Sequence, residues 1–340
     1  YIFLRVINFM TRIVIIKLGA LGDVVRTLSV LPAIKEKYQN PEIFWITKSN
    51  ALQIFENNSY VEKVFATPYK INFKEKFDVL YNFDIGDEAT KLALEIKAEK
   101  KFGFYSQEGF PASFNLAGEY YLNMLFDDNL KKNNKRTYQE MMFEVAELKW
   151  KKQHGLIFLN EKNKKYAENF FKENNLISKD IIGIHMGASS RWPSKVWHSS
   201  QLIDFIIKAK KKGYEILLFA GPNEIKEHEK IIKELKSKKV SIYQNNPKNT
   251  IKEFASLVNL CKIIICSDSL ALHLSLSLKK PTIGLFFCTS PDEVEDYNLL
   301  KKIVSPMLKD FFPEKMDKYN KKLVNSISAD EVLLAVNSIK

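Results

Sequence analysis

Short apolar runs alternate with helical patterns in two separate stretches of this chain. The strand-like runs of the first stretch are residues 13–18, 43–47, 79–83 and 102–105, with a helical pattern over 24–38. Those of the second are residues 181–186, 216–220, 240–243, 263–267 and 282–287, separated by helical patterns over 199–212, 223–236, 250–260 and 269–278. Strands that alternate with helices form parallel sheets covered on both faces, so the sequence predicts an α/β protein with two doubly wound domains.

A polar, Lys-rich helical pattern over 161–174 marks the junction between the two series. We therefore predict one domain over 10–165 and a second over 166–328. Residues 329–340 are predicted to form a short amphipathic helix that could pack on either domain. A chain of 340 residues, of which 46% are hydrophobic, is long enough to bury a core in each domain.

The charge balance is basic, with 52 Lys and Arg residues against 40 Asp and Glu residues. A net charge of +12 fits a phosphate-bearing ligand, an anionic membrane face or simply a Lys-rich composition. The basic residues are spread along the chain without interleaved aromatics, so no nucleic acid partner is expected. No stretch has 18 uninterrupted apolar residues, so we predict a cytoplasmic protein without a transmembrane segment, whose membrane contact is at most peripheral.

The three cysteines, Cys261, Cys266 and Cys288, lie in apolar surroundings without zinc spacing or neighbouring His residues. They are predicted to be buried free thiols in a reducing compartment. No His pair or tight acidic cluster indicates a metal, so no metal site is expected.

The segment 264–273 predicts a strand, a tight loop and a helix. Asp268 and Ser269 follow the apolar run, and His273 falls in the first turns of the helix. Ligands of open α/β sheets bind beyond the carboxyl ends of the strands, and a helix N-terminus offers unpaired N–H groups to an anion. We therefore predict a phosphate site here, although Asp268 alone would more often be a helix cap and His273 alone a histidine at the edge of the core.

A second strand, loop and helix pattern comprises the turn from Gly19 through Gly22 to Asp23. Its spacing is not that of the dinucleotide-binding G-x-G-x-x-G motif, but two glycines allow a tight turn and close approach by a ligand. Taken alone, Asp23 is more readily interpreted as the N-cap of the helix than as a general base for a substrate hydroxyl. Two such loops, one in each half, predict a cleft between two domains.

The loop after residue 186 carries Ser189, Ser190 and Lys195, and the same segment contains Trp192 and Trp197. Hydroxyls and backbone N–H groups in such a loop bind phosphate oxygens, and a Lys supplies a point charge. Packing tryptophans and a solvated Lys are the alternative interpretation, and the clustering favours phosphate. Glu224 follows another predicted strand, where it could cap a helix or accept a hydrogen bond from a ribose.

Four ordered motifs together resemble the ADP-heptose:lipopolysaccharide heptosyltransferase family, glycosyltransferase family 9. They are KLGALGD (17–23), GASSRWPSKVW (187–197), SDSLALH (267–273) and KPTIGLF (280–286). The resemblance runs from about Arg12 to the C-terminus. It implies a GT-B fold, in which two Rossmann-like domains face a central cleft. The first domain would bind the acceptor and the second the nucleotide sugar, with inversion at the anomeric carbon and without a metal.

The resemblance also implies a role for individual residues. Asp23 stands at the position of the family's proposed general base, on a cleft loop with Gly19 and Gly22. The matches to the donor site are Ser189, Ser190, Lys195, Asp268, Ser269, Leu270 and His273 for the diphosphate, and Glu224 for the nucleoside. Leu270 stands where the family usually has Gly. The implied co-substrate is ADP-heptose, with no further cofactor, and the implied acceptor is a lipid-linked glycan of the lipopolysaccharide inner core at the inner membrane.

Three alternatives remain open from the sequence. One is a family 9-like transferase that uses another nucleotide sugar. Another is an NAD-dependent Rossmann oxidoreductase, against which the absent G-x-G-x-x-G motif counts. The third is a non-catalytic protein that binds an anionic surface, against which the intact Asp23 and Lys195 motifs count.

Overall fold

The computed structural model describes residues 10–68, 76–176, 180–187 and 191–339. The chain forms two compact units, the first made of Tyr1–Phe126 and Tyr138–Gly155, the second of Asp127–Thr137 and Leu156–Lys340. The change of unit after Gly155 falls ten residues earlier than the predicted boundary at 165. The reason is that the polar helix Glu161–Glu173 packs wholly within the second unit, where Ala167 joins a core cluster.

The first part of the chain supplies six strands and six helices in the described residues. The strands are β1 (Arg12–Ile16), β2 (Glu42–Lys48), β3 (Lys63–Thr67), β4 (Phe77–Asn82), β5 (Ala98–Gln107) and β6 (Phe110–Ser113). The helices are α1 (Leu21–Thr27), α2 (Val30–Lys37), α3 (Asp87–Glu95), α4 (Leu116–Phe126), α5 (Asp128–Asn133) and α6 (Tyr138–Val145). Of these, α5 belongs to the second unit.

The strands of the first unit form one sheet in the order β3-β2-β1-β4-β5-β6. Pairing is parallel except between β5 and β6. This is the strand order of the Rossmann fold, and its direction of winding reverses between β1 and β4. The central strand β1 is buried on both faces, with Ile13, Val14, Ile15 and Ile16 all fully buried, as expected for a parallel strand covered by helices.

The helix predicted over 24–38 is two helices, α1 and α2, separated by a turn at Leu28 and Ser29. The Ser29 hydroxyl donates to the carbonyl of Arg26 at 2.8 Å and closes this turn. Pro32 lies in the first turn of α2, where its missing N–H would have no helical partner. The prediction of one continuous helix was therefore wrong.

The second unit repeats this architecture. Its strands are β7 (Ile181–His185), β8 (Glu215–Phe219), β9 (Tyr243–Gln244), β10 (Ile263–Ser267), β11 (Thr282–Phe286) and β12 (Leu300–Val304). Its further helices are α7 (Glu161–Glu173), α8 (Ser199–Lys211), α9 (Ile225–Ser237), α10 (Ile251–Leu260), α11 (Leu270–Ser277), α12 (Leu308–Phe311), α13 (Lys321–Val324) and α14 (Ala329–Ser338). All pairings in its sheet, of order β12-β11-β10-β7-β8-β9, are parallel.

The winding of this second sheet reverses between β7 and β10, the counterparts of β1 and β4. The C-terminal helix α14 packs on the second unit, where Val332 and Val336 are buried in the same core as Leu202 of α8. Two doubly wound sheets confirm the predicted α/β class. Among the described residues, no helix has both the length and the apolar character that crossing a bilayer requires.

Residues 127–137 belong to the second unit although both flanking segments belong to the first. Lys132 forms an ion pair with Glu314, and Lys135 forms one with Asp292 at 2.8 Å. These four side chains are well exposed, so each pair contributes about 0–1 kcal/mol to stability. The pairs nevertheless show on which unit this short segment rests.

Candidate active site

The second sheet brings its predicted donor-site residues to one edge. Because β7 and β10 are parallel neighbours, the segments that follow His185 and Ser267 emerge side by side at the point where the winding reverses. That point is where open α/β sheets bind ligands. The segment after β10 carries Asp268, and the segment after β7 leads to Lys195.

Lys195 and Asp268 form a partly buried ion pair at this edge. The Lys195 ammonium donates to the Asp268 carboxylate Oδ2 at 2.7 Å and to the Asp268 backbone carbonyl at 3.0 Å. The two side chains are 13% and 18% exposed. Since an ammonium has three N–H donors, the third is available to a ligand oxygen. The structure thus places the Lys195 ammonium beside the loop of Asp268. Its contact with a phosphate stays a prediction.

The turn that carries Lys195 is held in place by Ser194. The fully buried Ser194 hydroxyl donates to the carbonyl of Lys318 at 2.8 Å and accepts from the backbone N–H of Asn320 at 3.0 Å. These two bonds hold the short 3-10 turn Pro193–Lys195 against a distant part of the same unit. The ammonium is therefore presented from an anchored backbone and not from a loose loop.

His273 and the start of α11 complete the group around Asp268. His273 is 7% exposed, and its Nε2 lies 3.7 Å from the Asp268 Oδ1. Ser269 is the N-cap residue of α11, but its side chain makes no capping hydrogen bond. The hydroxyls of Ser267 and Ser269 are buried and have no hydrogen-bond partner in the described part of the chain. Buried hydroxyls, a helix N-terminus and an ammonium together suit a bound anion.

Glu224 reaches the same edge from the neighbouring strand. It is the N-cap residue of α9, yet its carboxylate accepts from the backbone N–H of Gly221 at 2.8 Å instead of capping the helix. A Cβ added to Gly187 would lie 2.8 Å from the Glu224 carboxyl carbon and 2.8 Å from the His185 ring. Gly187 therefore permits a close approach between these side chains.

The remaining predicted donor residues divide into two groups. Leu270 is the first residue of α11, so its backbone N–H lies in the first turn of the helix. Its side chain is partly buried. Ser189 and Ser190 lie outside the described residues.

In the first unit, Asp23 lies at the corresponding edge of the other sheet. It is the third residue of α1, whose N-cap is Ala20, so the interpretation of Asp23 as the N-cap is wrong. Its carboxylate Oδ1 lies 2.7 Å from a guanidinium nitrogen of Arg26, and its side chain is 34% exposed. Gly22 is the second residue of α1. A Cβ on Gly19 would lie 3.3 Å from the Asp84 carboxylate and 3.5 Å from the Asp23 Cβ.

The sequence analysis assigned no individual role to three residues that organise this edge. The Lys17 ammonium donates to the carbonyl of Phe83 at 2.8 Å, and the Asp84 carboxylate accepts from the backbone N–H of Leu18 at 2.9 Å. The Arg26 guanidinium stacks 3.6 Å from the centre of the Tyr138 ring. Asp84 could have been found, because it follows β4 as Asp268 follows β10.

The charge state of Lys17 follows from its neighbours. Burial lowers the pKa of the Lys17 ammonium, but Tyr138, Asp84 and Asp23 together outweigh this effect, so the pKa is raised. Lys17 therefore stays protonated, and it lies 3.7 Å from Asp84. A largely buried charge pair thus connects the loop that precedes Asp23 with the segment that follows β4.

The cysteines are free and buried, as predicted. Burial raises the pKa of the Cys288 thiol to about 11, with Lys195 and Asp268 nearby, so this thiol is protonated at neutral pH. Among the described residues, no group of three or more His, Cys, Asp or Glu side chains could hold a metal ion.

We expect His185 to make the stability of the protein depend on pH. Burial lowers the pKa of His185 from 6.5 to about 4, and its Nδ1 has no hydrogen-bond partner in the described part of the chain. Between these two pH values the unfolded chain binds a proton that the folded chain does not. The free energy of unfolding should therefore fall by about 2–3 kcal/mol for this group as the pH drops from 6.5 towards 4.

Urea unfolding of the wild type and of His185→Gln at a series of pH values measures this contribution. His228 also has its pKa lowered, chiefly by burial, so the difference between the two proteins isolates His185. Parallel pH profiles for both proteins would contradict the expectation.

The family of this chain follows from its match to a known family model. The model of glycosyltransferase family 9 (heptosyltransferase) matches residues 75–322, well over half of the chain. The chain belongs to glycosyltransferase family 9. This family 9 protein is therefore a glycosyltransferase, and the oxidoreductase alternative falls away.

Individual proteins and structures that are similar to this family 9 enzyme are also heptosyltransferases or family 9 glycosyltransferases. Lipopolysaccharide heptosyltransferase 1 of Campylobacter coli is 25% identical over 298 residues, which cover 82% of this chain and 84% of that protein. A family 9 glycosyltransferase structure from Veillonella parvula has a TM-score of 0.76 at 20% identity, covering 96% of both chains. The structure of E. coli ADP-heptose LPS heptosyltransferase II has a TM-score of 0.70 at 16% identity, covering 96% of this chain and 98% of that one. These likenesses confirm the predicted GT-B fold.

Proposed function

We propose that this enzyme transfers heptose from ADP-heptose, with inversion, onto a glycan acceptor of the lipopolysaccharide inner core. The observation that carries the proposal is the pairing of Lys195 with Asp268 beside the N-terminus of α11. The names of the C. coli and E. coli relatives support the choice of heptose and lipopolysaccharide.

The second unit would hold the donor. Negative charge grows on the leaving nucleoside diphosphate as the glycosidic bond breaks. The third N–H of Lys195, the buried Ser269 hydroxyl and the N–H groups at the start of α11 would stabilise that charge. We propose that Ser189 and Ser190 contribute further hydroxyls and that Leu270 and His273 lie at the border of this site. We propose that Glu224 contacts the nucleoside.

The first unit would activate the acceptor. Asp23 is partly exposed at the edge of the sheet, and its carboxylate lies 2.7 Å from the Arg26 guanidinium. A carboxylate in that position would accept the proton of the attacking acceptor hydroxyl, while Gly19 and Gly22 let the acceptor approach the loop. Arg26 and Lys17 would keep Asp23 oriented and negatively charged.

We propose that the enzyme needs no metal and no redox cofactor, since Lys195 and the N-terminus of α11 would face the departing diphosphate. We further propose that it works in the cytoplasm and meets its lipid-linked acceptor peripherally at the inner membrane. The basic composition supports contact with an anionic surface.

The proposal is tested by measuring nucleoside diphosphate release from ADP-, UDP-, GDP- and dTDP-sugars in the presence of inner-core acceptors and a metal chelator. We expect acceptor-dependent release from ADP-heptose alone. Release from another donor would retain the reaction type and replace the sugar. Release that requires a divalent metal would contradict the metal-free part of the proposal.

A further inference from the structure

A cavity of about 320 Å³ opens in the first unit between the β5–β6 hairpin and α4. It is lined by Tyr105, Gln107, Pro111, Ala112, Ser113, Glu119, Leu122, Asn123 and Phe126. Its volume lies at the lower end of the range for small-molecule sites, about 300–1,000 Å³. The cavity therefore has room for a single compact ligand.

The lining combines aromatic faces with uncommitted polar groups. Tyr105 stacks on Phe114 with ring centres 4.6 Å apart, and the Phe126 ring is 71% exposed. Glu119 and Asn123 are one helical turn apart on α4, and neither side chain forms a hydrogen bond or ion pair in the described part of the chain. The carboxylate only accepts hydrogen bonds, whereas the amide both donates and accepts.

This chemistry matches one pyranose ring. A sugar ring presents C–H groups, which pack on aromatic faces, and hydroxyls, which exchange hydrogen bonds with carboxylates and amides. A phosphate or nucleotide would instead need cations, and the lining has none. Glu119 would repel such an anion.

The position of the cavity links it to Asp23. Gly103 of β5 pairs with Asn82, the last residue of β4, so Tyr105 and Gln107 extend beyond the carboxyl end of β4. The cavity therefore lies at the same edge of the sheet as the loop before Asp23. In the sheet, β5 is two places from β1 and β6 is three places from it. The cavity is therefore displaced sideways from the loop before Asp23 by about 10–15 Å.

We infer that this cavity is a subsite for one sugar residue of the acceptor glycan, remote from the residue that carries the attacking hydroxyl. The inference rests on the proposed function. An offset of this size corresponds to a separation of two or three sugar units along the glycan. The subsite would thus select acceptors by a residue that takes no part in the reaction.

Kinetics with two acceptors test the subsite. We expect Asn123→Ala/Phe126→Ala to raise KM about tenfold for a branched or extended inner-core oligosaccharide. KM for a truncated acceptor that keeps only the accepting sugar should not change, nor should kcat for either. Phe110→Ala is the matched control, because Phe110 is a 75% exposed phenylalanine on the β5–β6 hairpin beside the cavity but does not line it. An equal KM change for both acceptors, or none, would overturn the inference.

A binding measurement separates this inference from the proposed reaction. Lipid-free inner-core oligosaccharide is titrated into the enzyme without donor, and NMR shifts are recorded for the wild type and the double variant. We expect binding by the wild type and about tenfold weaker binding by the variant. Equal affinities, or no binding by the wild type, would refute the subsite even if transfer is normal. Normal binding without transfer would refute the reaction and leave the subsite intact.

Discussion

Asp23→Asn is expected to lower kcat for heptosyl transfer by about 10²- to 10⁴-fold, the usual contribution of a general base. The amide has nearly the size of the carboxylate but cannot accept the proton of the acceptor hydroxyl. Donor binding should persist, because the proposed donor residues all belong to the second unit. Acceptor-dependent release of ADP measures kcat, and calorimetry with ADP measures donor-site affinity.

Asp87→Asn provides the matched control. Asp87 is in the first turn of α3, is 66% exposed and pairs with Lys91 at 2.8 Å, so its carboxylate resembles Asp23 in helix position and partner. We expect near-normal kcat for this variant. Near-normal turnover by Asp23→Asn as well would mean that Asp23 is not the base.

Lys195→Met is expected to weaken the binding of ADP by about 10- to 100-fold. A hydrogen bond to a charged group contributes about 1.5–3 kcal/mol, and each 1.4 kcal/mol changes Kd tenfold. The loss should fall on the diphosphate and not on the nucleoside, so affinity for adenosine should be unchanged. Calorimetric titrations with ADP and adenosine distinguish the two.

Two further variants show whether Lys195 acts on the ligand or on the fold. Lys210→Met removes the ammonium of a similar pair, with Glu215 at 2.7 Å, but Glu215 begins β8 and so lies at the opposite edge of the sheet. We expect it to bind ADP normally. Lys195→Met/Asp268→Asn removes the carboxylate that would otherwise remain without its Lys, and should restore thermal stability without restoring affinity. Unchanged ADP affinity in Lys195→Met would refute its role.

The inner strands of both sheets were predictable, whereas three of the four edge strands were not. The fourth edge strand, β9, was predicted over 240–243 and lies at Tyr243–Gln244. The run over 263–267 matches β10 in both bounds, because a strand buried on both faces is continuously apolar. The strands β3, β6 and β12 all lie at sheet edges and were missed. Lys63, Pro111, Lys301 and Lys302 interrupt their apolar pattern, and charged or proline residues are common where an edge must resist further pairing.

The candidate site was predictable in its location but not in its pairings. The rule that ligands bind beyond strand ends identified the loop of Asp268. It could not pair Asp268 with Lys195, because 73 residues separate them and the turn at Pro193 decides where the ammonium points. Likewise, Arg26 follows Asp23 by three residues, but only the start of α1 at Leu21 places both on one helical face.

The course of this chain constrains how it could exchange parts with a relative. The chain passes between the units after Phe126, after Thr137 and after Gly155. A hybrid with the second unit of a relative therefore keeps this segment with its own unit only if it also takes residues 127–137, in which Lys132 and Lys135 pair with Glu314 and Asp292. A single crossover cannot transfer both segments of the second unit without the part of the first unit between them. The acceptor and donor specificities would therefore pass to a hybrid together more readily than separately.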